Sequence, residues 1–159
     1  MRIGQGFDIH RFSDDPDRPL VLAGVTIPGS AGLAGHSDAD AATHALCDAL
    51  LGAAGLGDLG TFFPDQDPSF AGADSLELLR QVMLLVAESG FEAINGDITV
   101  VAERPKLAPH REAMVATLSE ITACPISVKA STAEGLGPIG TGEGIAAMAV
   151  VLLMERSSS

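Results

Sequence analysis

The chain has 159 residues, of which 47% are hydrophobic and 19% charged, and its formal net charge is −12. This composition can fill the core of one domain over residues 1–159, and it excludes disorder as the main state. The 18 glycines and 9 prolines argue against a coiled coil, and the acidity argues against a protein that binds duplex DNA. A small phosphorylated ligand stays compatible with this charge, because a metal ion can neutralise phosphate locally.

Two cysteines, Cys47 and Cys124, are too few for a disulfide framework, and we interpret them as isolated thiols. The first residues lack the apolar segment of a signal peptide, and no stretch approaches the ~20 apolar residues of a membrane span. We therefore expect a cytoplasmic protein without a membrane or nucleic-acid partner. The serines at residues 157–159 are expected to form a frayed tail.

The first half of the chain combines strand patterns with turn residues. Short strands are predicted over residues 1–7 and 20–27, with turn chemistry between them. Ser37 is placed to cap a helix over residues 38–51, whose first acidic residues suit the positive end of the helix dipole. A loop rich in Gly, Pro and Asp follows over residues 52–72, and loops this long are often functional.

The second half contains two further helix patterns and two further strands. The motif Asp74-x-x-Glu77 resembles a capping box and starts a helix that Gly90 ends. Pro109 suits the first turn of the next helix. Strands are predicted over residues 97–103 and 126–131, each with apolar residues on one face.

The last strand, over residues 145–154, is apolar on both faces. About three helices can cover only one face of a four- or five-stranded sheet, whereas this strand must bury both of its faces. We therefore expect a single-domain α/β (α+β) fold with a mixed sheet and helices on one face. The second face predicts an obligate oligomer with sheets packed around a shared axis; the alternative is a sandwich closed by the long loop.

Asp8, His10 and His44 form a candidate metal site. Asp8 and His10 are two residues apart at a strand end and share a face, and His44 lies in the first predicted helix. Asp40 and Asp48 share its helical stripe, so one of them could orient the imidazole. One carboxylate and two imidazoles suit a catalytic zinc with an open fourth position. The alternative is that Asp8 caps a turn and the histidines form ordinary hydrogen bonds.

Two other polar segments are candidates for ligand binding. The segment 36–40 is either a capped helix N-terminus or a loop that carries donors to an anionic ligand. Thr132 and Glu134 could hold a hydroxyl and a carboxylate against a phosphate and a hard cation. The glycine-rich run over residues 135–144 fits neither standard nucleotide loop and is typical of a hairpin or an irregular crossover.

Seven motifs occur in the order seen in one enzyme family. They are Gly4-Gln-Gly-Phe-Asp-Ile-His10, His36-Ser-Asp-Ala-Asp-Ala-Ala-Thr-His44, Gly57-Asp-Leu-Gly60, Phe63-Pro-Asp-Gln-Asp-Pro68, Ala102-Glu-Arg-Pro-Lys106, Ser131-Thr-Ala-Glu134 and Gly142-Glu-Gly-Ile-Ala146. From Arg2 to about Leu153, the chain resembles the 2-C-methyl-D-erythritol 2,4-cyclodiphosphate synthases of the non-mevalonate isoprenoid pathway.

The resemblance implies a homotrimer with active sites at the subunit interfaces and a small-molecule cytidine diphosphate substrate. In 4-diphosphocytidyl-2-C-methyl-D-erythritol 2-phosphate, the 2-phosphate attacks the β-phosphorus, which gives the cyclic diphosphate and releases CMP. The implied enzyme is a phosphorus–oxygen lyase. Two alternatives stay open: a non-catalytic nucleotide-binding trimer, and a zinc-dependent phosphohydrolase in which Asp40 or Asp48 could serve as the general base.

The resemblance also implies roles for individual residues. One Zn²⁺ per subunit would be bound by Asp8, His10 and His44, and a second divalent ion, Mg²⁺ or Mn²⁺, by Glu134. His36 and Thr132 match the catalytic residues that stabilise the transition state. The implied substrate-binding residues are Ser37, Asp58, Leu59, Gly60, Phe63, Pro64, Asp65, Gln66, Asp67, Ala102, Pro105, Lys106, Leu107, Ala108, Ser131 and Ala133.

Overall fold

Six strands and five helices lie in residues 1–64 and 72–156, the part of the chain that the computed structural model describes. The strands are β1 (Arg2–Arg11), β2 (Pro19–Leu22), β3 (Val25–Ala31), β4 (Phe91–Val101), β5 (Ile126–Ser131) and β6 (Gly144–Glu155). The helices are α1 (Ala41–Ala54), α2 (Leu59–Phe62), α3 (Ser75–Glu88), α4 (Arg111–Thr122) and α5 (Gly137–Gly140), and a 3-10 turn over Ala108–His110 precedes α4. The expected frayed tail, residues 157–159, lies outside the described residues.

A mixed four-stranded sheet with the order β1-β6-β4-β5 forms the centre of the molecule. Strand β6 is antiparallel to both of its neighbours, and β4 and β5 are parallel. Strands β1, β4 and β5 therefore run in the same direction, and their carboxyl ends share one edge of the sheet. The fold confirms the expected α/β class with a mixed sheet. Over the described ranges, no helix combines the length and hydropathy that crossing a bilayer requires.

Helix α1 lies directly on β1 because two strand positions have no side chain. A Cβ atom on Gly4 or Gly6 would lie 1.9 Å from the carbonyl oxygen of Ala49 or Ala45, respectively. Glycine is therefore required where the helix crosses the strand. This close approach places His44, one residue before Ala45, over the carboxyl end of β1.

The two faces of β6 have different surroundings, although both are apolar. The residues on the helix side are at most 2% exposed: Ile145, Ala147, Ala149, Val151 and Leu153. On the other side, Met148 is 40% exposed and Val150 is 47% exposed. Met148 pairs with Phe7 of β1, which is 51% exposed. The strand is apolar on both faces as predicted, and the described residues cover only one of them.

Three predictions for the first half of the chain are wrong in detail. Residues 20–27 are not one strand but most of a hairpin, because Ala23 and Gly24 take left-handed φ angles of 51° and 72° and reverse the chain. Helix α1 starts at Ala41, and its cap is Asp40, whose carboxylate accepts the Thr43 N–H, rather than Ser37. Helix α1 extends to residue 54, and the short helix α2 lies within the range predicted as a loop, of which residues 65–71 lie outside the described residues.

The second half follows the predictions more closely. Asp74 caps α3, and Gly90 follows the helix with a φ of 83°. Strand β4 begins at Phe91, six residues before the predicted start, because pairing with the end of β6 overrides the turn signal of Asn95-Gly96. A register shift in this region accommodates that dipeptide within the strand.

Candidate metal centre and ligand-binding residues

Asp8, His10 and His44 meet at the carboxyl end of β1. Each offers a ligand atom, and these atoms all lie within 4.8 Å of one another. Asp8 Oδ2 lies 2.9 Å from Nε2 of His10 and 3.1 Å from Nδ1 of His44. Alternation along β1 turns the first two side chains toward α1, which supplies the third. The predicted convergence of these three residues is confirmed.

The charge distribution of this group suits a cation. Burial raises the pKa of the Asp8 carboxyl, but contacts with His10 and His44 outweigh burial and hold that pKa well below its usual range. Contact with the Asp8 carboxylate raises the pKa of His10, although burial opposes this shift. The carboxylate is therefore ionised at neutral pH and available as a ligand.

His10 presents only one ring nitrogen to the group. Its Nδ1 lies 2.8 Å from the carbonyl oxygen of Ala34, to which it donates. Its Nε2 is buried and has no partner with hydrogen-bond geometry among the described residues, although Asp8 Oδ2 is close. A buried, unpaired imidazole nitrogen beside a carboxylate fits a metal ligand, and zinc accepts such a donor set.

His44 is oriented by two serines. Its Nε2 lies 2.8 Å from Oγ of Ser75 and 3.2 Å from Oγ of Ser37. Sequence reasoning did not identify Ser75 as a contact, because it is 31 residues from His44 and starts a different helix. No local spacing signal relates the two positions.

The prediction that Asp40 or Asp48 orients the imidazole is wrong. Asp40 is fully buried, and its carboxylate accepts the N–H groups of Ala23 at 2.8 Å and Gly24 at 2.7 Å, which connects the β2–β3 turn to α1. Asp48 accepts the N–H of Leu59 at 2.7 Å. Burial raises the pKa of Asp48, although this hydrogen bond opposes the shift.

The segment 36–40 leads into α1, and its side chains become progressively buried from the exposed His36 to the fully buried Asp40. The carbonyl of His36 accepts the Gly72 N–H at 2.8 Å, while its side chain is exposed. The Asp38 N–H donates to the carbonyl of Ala73 at 3.1 Å. The carbonyl of Ser37 accepts from the Arg18 guanidinium. These backbone contacts leave the His36 side chain free to meet a ligand.

Thr132 and Glu134 follow the end of β5 in a tightly held turn. Thr132 Oγ1 donates to a Glu134 carboxylate oxygen at 2.8 Å, and Glu134 has a left-handed φ of 52°. The carboxylate of Glu103 accepts the N–H groups of Ala133 at 2.9 Å and Gly135 at 3.4 Å. Glu103 was not among the predicted site residues, and it holds the turn that presents Glu134.

One chain does not bring Glu134 to the Asp8 group. Asp8 lies in register with Ala147, Val100 and Ala130 across the four strands. Strand spacings of about 4.8 Å separate β1 from β5 by about 14 Å. Glu134 follows β5 and is not among the three residues that group around Asp8 in the described chain.

The expected contacts in and after α2 are only partly described. Asp58 caps α2 and accepts the N–H and hydroxyl of Thr61 at 2.9 and 2.7 Å, which lowers the Asp58 pKa. Phe63 is buried at 8% exposure. Leu59 is half-buried, whereas Gly60 and Pro64 are exposed. The expected contacts Asp65, Gln66 and Asp67 lie outside the described residues.

The stretch 102–108 lies beside the end of β5. The N–H of Ala102 donates to the carbonyl of Ser131 at 3.0 Å. Leu107 and Ala108 line a cavity of about 190 Å³ together with Val128. Pro105 lines a separate cavity of about 750 Å³, and Lys106 is exposed. The two stretches that contain expected substrate-binding residues, 102–108 and 131–133, therefore lie next to each other within one chain.

Comparison with known proteins assigns the chain to a family. The profile of the YgbB family matches residues 1–154. A 2-C-methyl-D-erythritol 2,4-cyclodiphosphate synthase from Symbiobacterium thermophilum is 56% identical, over 98% of this chain and 100% of the relative. A structure of this synthase in its CDP-bound form has a TM-score of 0.86 and 45% identity, over 96% of this chain and 100% of the other.

A second solved structure is the bifunctional IspDF from Campylobacter jejuni, with a TM-score of 0.93 and 46% identity. The match covers 98% of this chain and 42% of the bifunctional chain. The family match, the identity above one half and the shared fold all extend over nearly the whole sequence. The chain therefore belongs to the YgbB family, the 2-C-methyl-D-erythritol 2,4-cyclodiphosphate synthases.

Proposed function

We propose that the protein converts 4-diphosphocytidyl-2-C-methyl-D-erythritol 2-phosphate to 2-C-methyl-D-erythritol 2,4-cyclodiphosphate and releases CMP. The observation that carries this proposal is the convergence of Asp8, His10 and His44 in a chain that belongs to the synthase family. The family indicates the reaction, and the group formed by Asp8, His10 and His44 provides a site where the phosphates of the substrate can be held. The protein is thus a phosphorus–oxygen lyase.

Two metal ions complete the proposed site. Asp8, His10 and His44 would hold one Zn²⁺ per subunit, which the unpaired Nε2 of His10 supports. Glu134 would hold a second divalent ion, Mg²⁺ or Mn²⁺, which its exposed carboxylate supports. When bound, such ions polarise phosphoryl oxygens and neutralise the charge between two phosphates.

The chain's own residues position the substrate, which carries its own nucleophile. Intramolecular attack requires two repelling phosphates in line, so orientation is the main task of the protein. The exposed imidazole of His36 would donate to phosphate oxygens, and the hydroxyls of Ser37 and Thr132 would lie beside them. A donor that strengthens in the transition state contributes about 10²–10³ in rate.

The proposed nucleotide contacts follow the family pattern. Asp58 and Gly60 would contact the ribose, and Phe63 with the following residues the methylerythritol phosphate. The cytosine would lie against the stretch 102–108, near Ser131 and Ala133. The CDP-bound relative supports a cytidine nucleotide as ligand.

We infer a homotrimer with the active sites between subunits. The exposed apolar side of β1 and β6 needs a cover, because sheet faces of this kind are buried in stable proteins. The separation of about 14 Å between β1 and β5 also leaves the Asp8 group without Glu134 in its own chain. A neighbouring subunit that packs against this face and places the end of its β5 beside β1 would cover the apolar side chains. It would also bring its own Glu134 to the Asp8 group.

A phosphohydrolase is the runner-up, and it would need a general base such as Asp40 or Asp48. The carboxylates of Asp40 and Asp48 both accept backbone N–H groups, and neither belongs to the group formed by Asp8, His10 and His44. The deciding experiment is phosphorus NMR of the reaction products. We expect the signals of a cyclic diphosphate and CMP; an open-chain phosphate product would instead establish hydrolysis.

The cytoplasmic location expected from the sequence stays a proposal. Both Cys47 and Cys124 are free and buried, which is compatible with a reducing compartment. Burial raises the pKa of the Cys47 thiol well above its usual value, so this residue is inert rather than reactive.

A further inference from the structure

Ser75 is a buried serine that the proposed chemistry does not use. It is the first residue of α3, and its side chain is fully buried. Its Oγ lies 2.8 Å from Nε2 of His44, on the side of the ring away from Asp8. Ser75 therefore contacts the metal group through the back of one ligand.

Asp38 determines the direction of this contact. Ser75 Oγ–H donates to Oδ1 of Asp38, and the Ser75 backbone N–H donates to Oδ2 at 3.0 Å. A carboxylate accepts hydrogen bonds and cannot donate them. The hydroxyl proton of Ser75 is therefore directed at Asp38, and its oxygen is left to accept a hydrogen bond from Nε2–H of His44.

We propose that Asp38 and Ser75 are positioning residues that hold His44 with its proton on Nε2 and its Nδ1 unprotonated. This inference rests on the proposed function, because only an unprotonated nitrogen binds zinc. A carboxylate that acts through a hydroxyl on the distal nitrogen fixes the plane of the ring and its tautomer. His10 has a simpler version of this arrangement, in which Nδ1 donates to the Ala34 carbonyl.

Ser37 does not duplicate the role of Ser75. Its Oγ is farther from Nε2 of His44, at 3.2 Å, and it already accepts the Ala39 N–H at 3.1 Å. Among residues 1–64 and 72–156, no carboxylate accepts from the Ser37 hydroxyl, so nothing in that range directs its proton. Within the described ranges, only Ser75 connects Nε2 of the imidazole to a carboxylate.

The hydrogen-bonded chain Asp38–Ser75–His44, which we call the relay, also connects two distant parts of the sequence. Asp38 precedes α1, which carries His44, whereas Ser75 starts α3 after the loop with the expected substrate contacts. The backbone pairs His36–Gly72 and Asp38–Ala73 lie beside the relay and hold the same segments together. The orientation of the imidazole thus depends on the docking of α3.

The test measures zinc affinity by competition with a chromogenic chelator. We expect Ser75→Ala to bind zinc about 10–100-fold more weakly than the unchanged chain. Asp38→Asn should also weaken zinc binding, because its amide can donate to Ser75 Oγ and reverse the hydrogen bond to His44. The matched control is Ser89→Ala, which removes a hydroxyl from the other end of α3, where it donates to Leu85.

The outcomes separate this inference from the proposed function. Weaker zinc binding by both variants, with a shifted visible absorption of their Co²⁺-loaded forms and unchanged affinity in Ser89→Ala, supports the relay. Unchanged zinc affinity in Ser75→Ala overturns it while leaving the metal centre intact. If Ser75→Ala fails to fold, the zinc affinity of the nearly isosteric Asp38→Asn variant tests the relay instead: weaker binding supports it, and unchanged binding overturns it. A wild-type chain that binds no zinc overturns the proposed metal centre, and the inference with it.

Discussion

The carboxylate of Asp8 joins two imidazoles that come from different elements. His10 shares its strand, whereas His44 reaches it from α1 at a distance of 3.1 Å. Both rings donate through their distal nitrogens, to a carbonyl or a hydroxyl, and direct their remaining nitrogens at the same carboxylate. The group is therefore preorganised for a cation by its hydrogen bonds.

Removal of His44 tests the metal centre directly. We expect His44→Ala to abolish CMP release, because the metal would lose one of three protein ligands. The fold should persist, since the ring is bordered by hydrogen bonds rather than by the main core. CMP release, zinc content and native mass give the readouts. His110→Ala, in the 3-10 turn before α4, is the control; full turnover in His44→Ala would contradict the zinc mechanism.

Proton competition at His10 makes metal binding depend on pH. Contact with Asp8 raises the pKa of His10 above its ordinary value of 6.5, although burial opposes the shift. Zinc binds the neutral ring, so its affinity should fall by up to about tenfold per pH unit below that raised pKa.

The contribution of His10 to the stability of the metal-free fold has the opposite pH dependence. Because the folded pKa of His10 exceeds the unfolded value, this residue stabilises the fold fully below pH 6.5 and stops doing so as pH rises through the folded pKa. The zinc-induced rise in Tm should therefore be larger at pH 8 than at pH 6, as measured by calorimetry with zinc or a chelator. Equal rises at both values would contradict this assignment.

Glu134 carries the second proposed ion. Glu134→Gln removes the charge that attracts Mg²⁺ or Mn²⁺ and keeps the side-chain shape, so activity should need higher concentrations of either ion. A titration of turnover against each metal measures this effect. Glu120→Gln on α4 is the matched control, and an identical titration for Glu134→Gln would contradict the proposed role of Glu134 as a metal ligand.

At the scale of elements, the contact between α1 and β1 builds the metal centre. The strand supplies Asp8 and His10, the helix supplies His44, and Gly6 permits the close approach. Asp40 then connects the start of α1 to the β2–β3 turn. The ligand geometry is thus a property of how two elements pack.

A pair of glycine substitutions tests this contact. Gly6→Ala would place its Cβ 1.9 Å from the Ala45 carbonyl, so it should lower the free energy of unfolding by at least about 2 kcal/mol and weaken zinc binding. Gly52→Ala, inside α1 with open space around its Cβ, should raise the free energy of unfolding by about 0.5–1 kcal/mol. Urea unfolding measures both; a neutral Gly6→Ala would show that the helix does not need this approach.

At the scale of the whole molecule, the exposed side of the sheet is the surface on which the proposed oligomer depends. Phe7, Met148 and Val150 lie together there, and each is 40–51% exposed in one chain. Apolar area of this kind drives association because water is released from it.

Val150→Asp should therefore convert the oligomer to a monomer with little activity. A carboxylate buried between sheets without a partner opposes assembly. Native mass spectrometry and CMP release measure the two effects. Leu84→Asp, on the outer side of α3 where Leu84 is 64% exposed, should change neither. A stable, active monomer of the unmodified chain would contradict the oligomer altogether.

Sequence spacing alone predicted two features, the shared orientation of Asp8 and His10 and the two apolar faces of the last strand. Asp8 and His10 share a face because strand side chains alternate, and the uninterrupted apolar run of β6 required two buried sides. These inferences depend on periodicity within one segment, which the sequence contains completely. The reaction was indicated by the resemblance of seven motifs to a known family rather than by periodicity.

Tertiary structure decided what holds those ligands in place. Ser75 and Ala34 fix the two imidazoles, Glu103 fixes the turn before Glu134, and Asp40 binds the β2–β3 turn instead of His44. Each contact joins segments 16 to 31 residues apart. Since many side chains can satisfy a given ring nitrogen or N–H group, only the packing of elements determines which of them lies within hydrogen-bond distance.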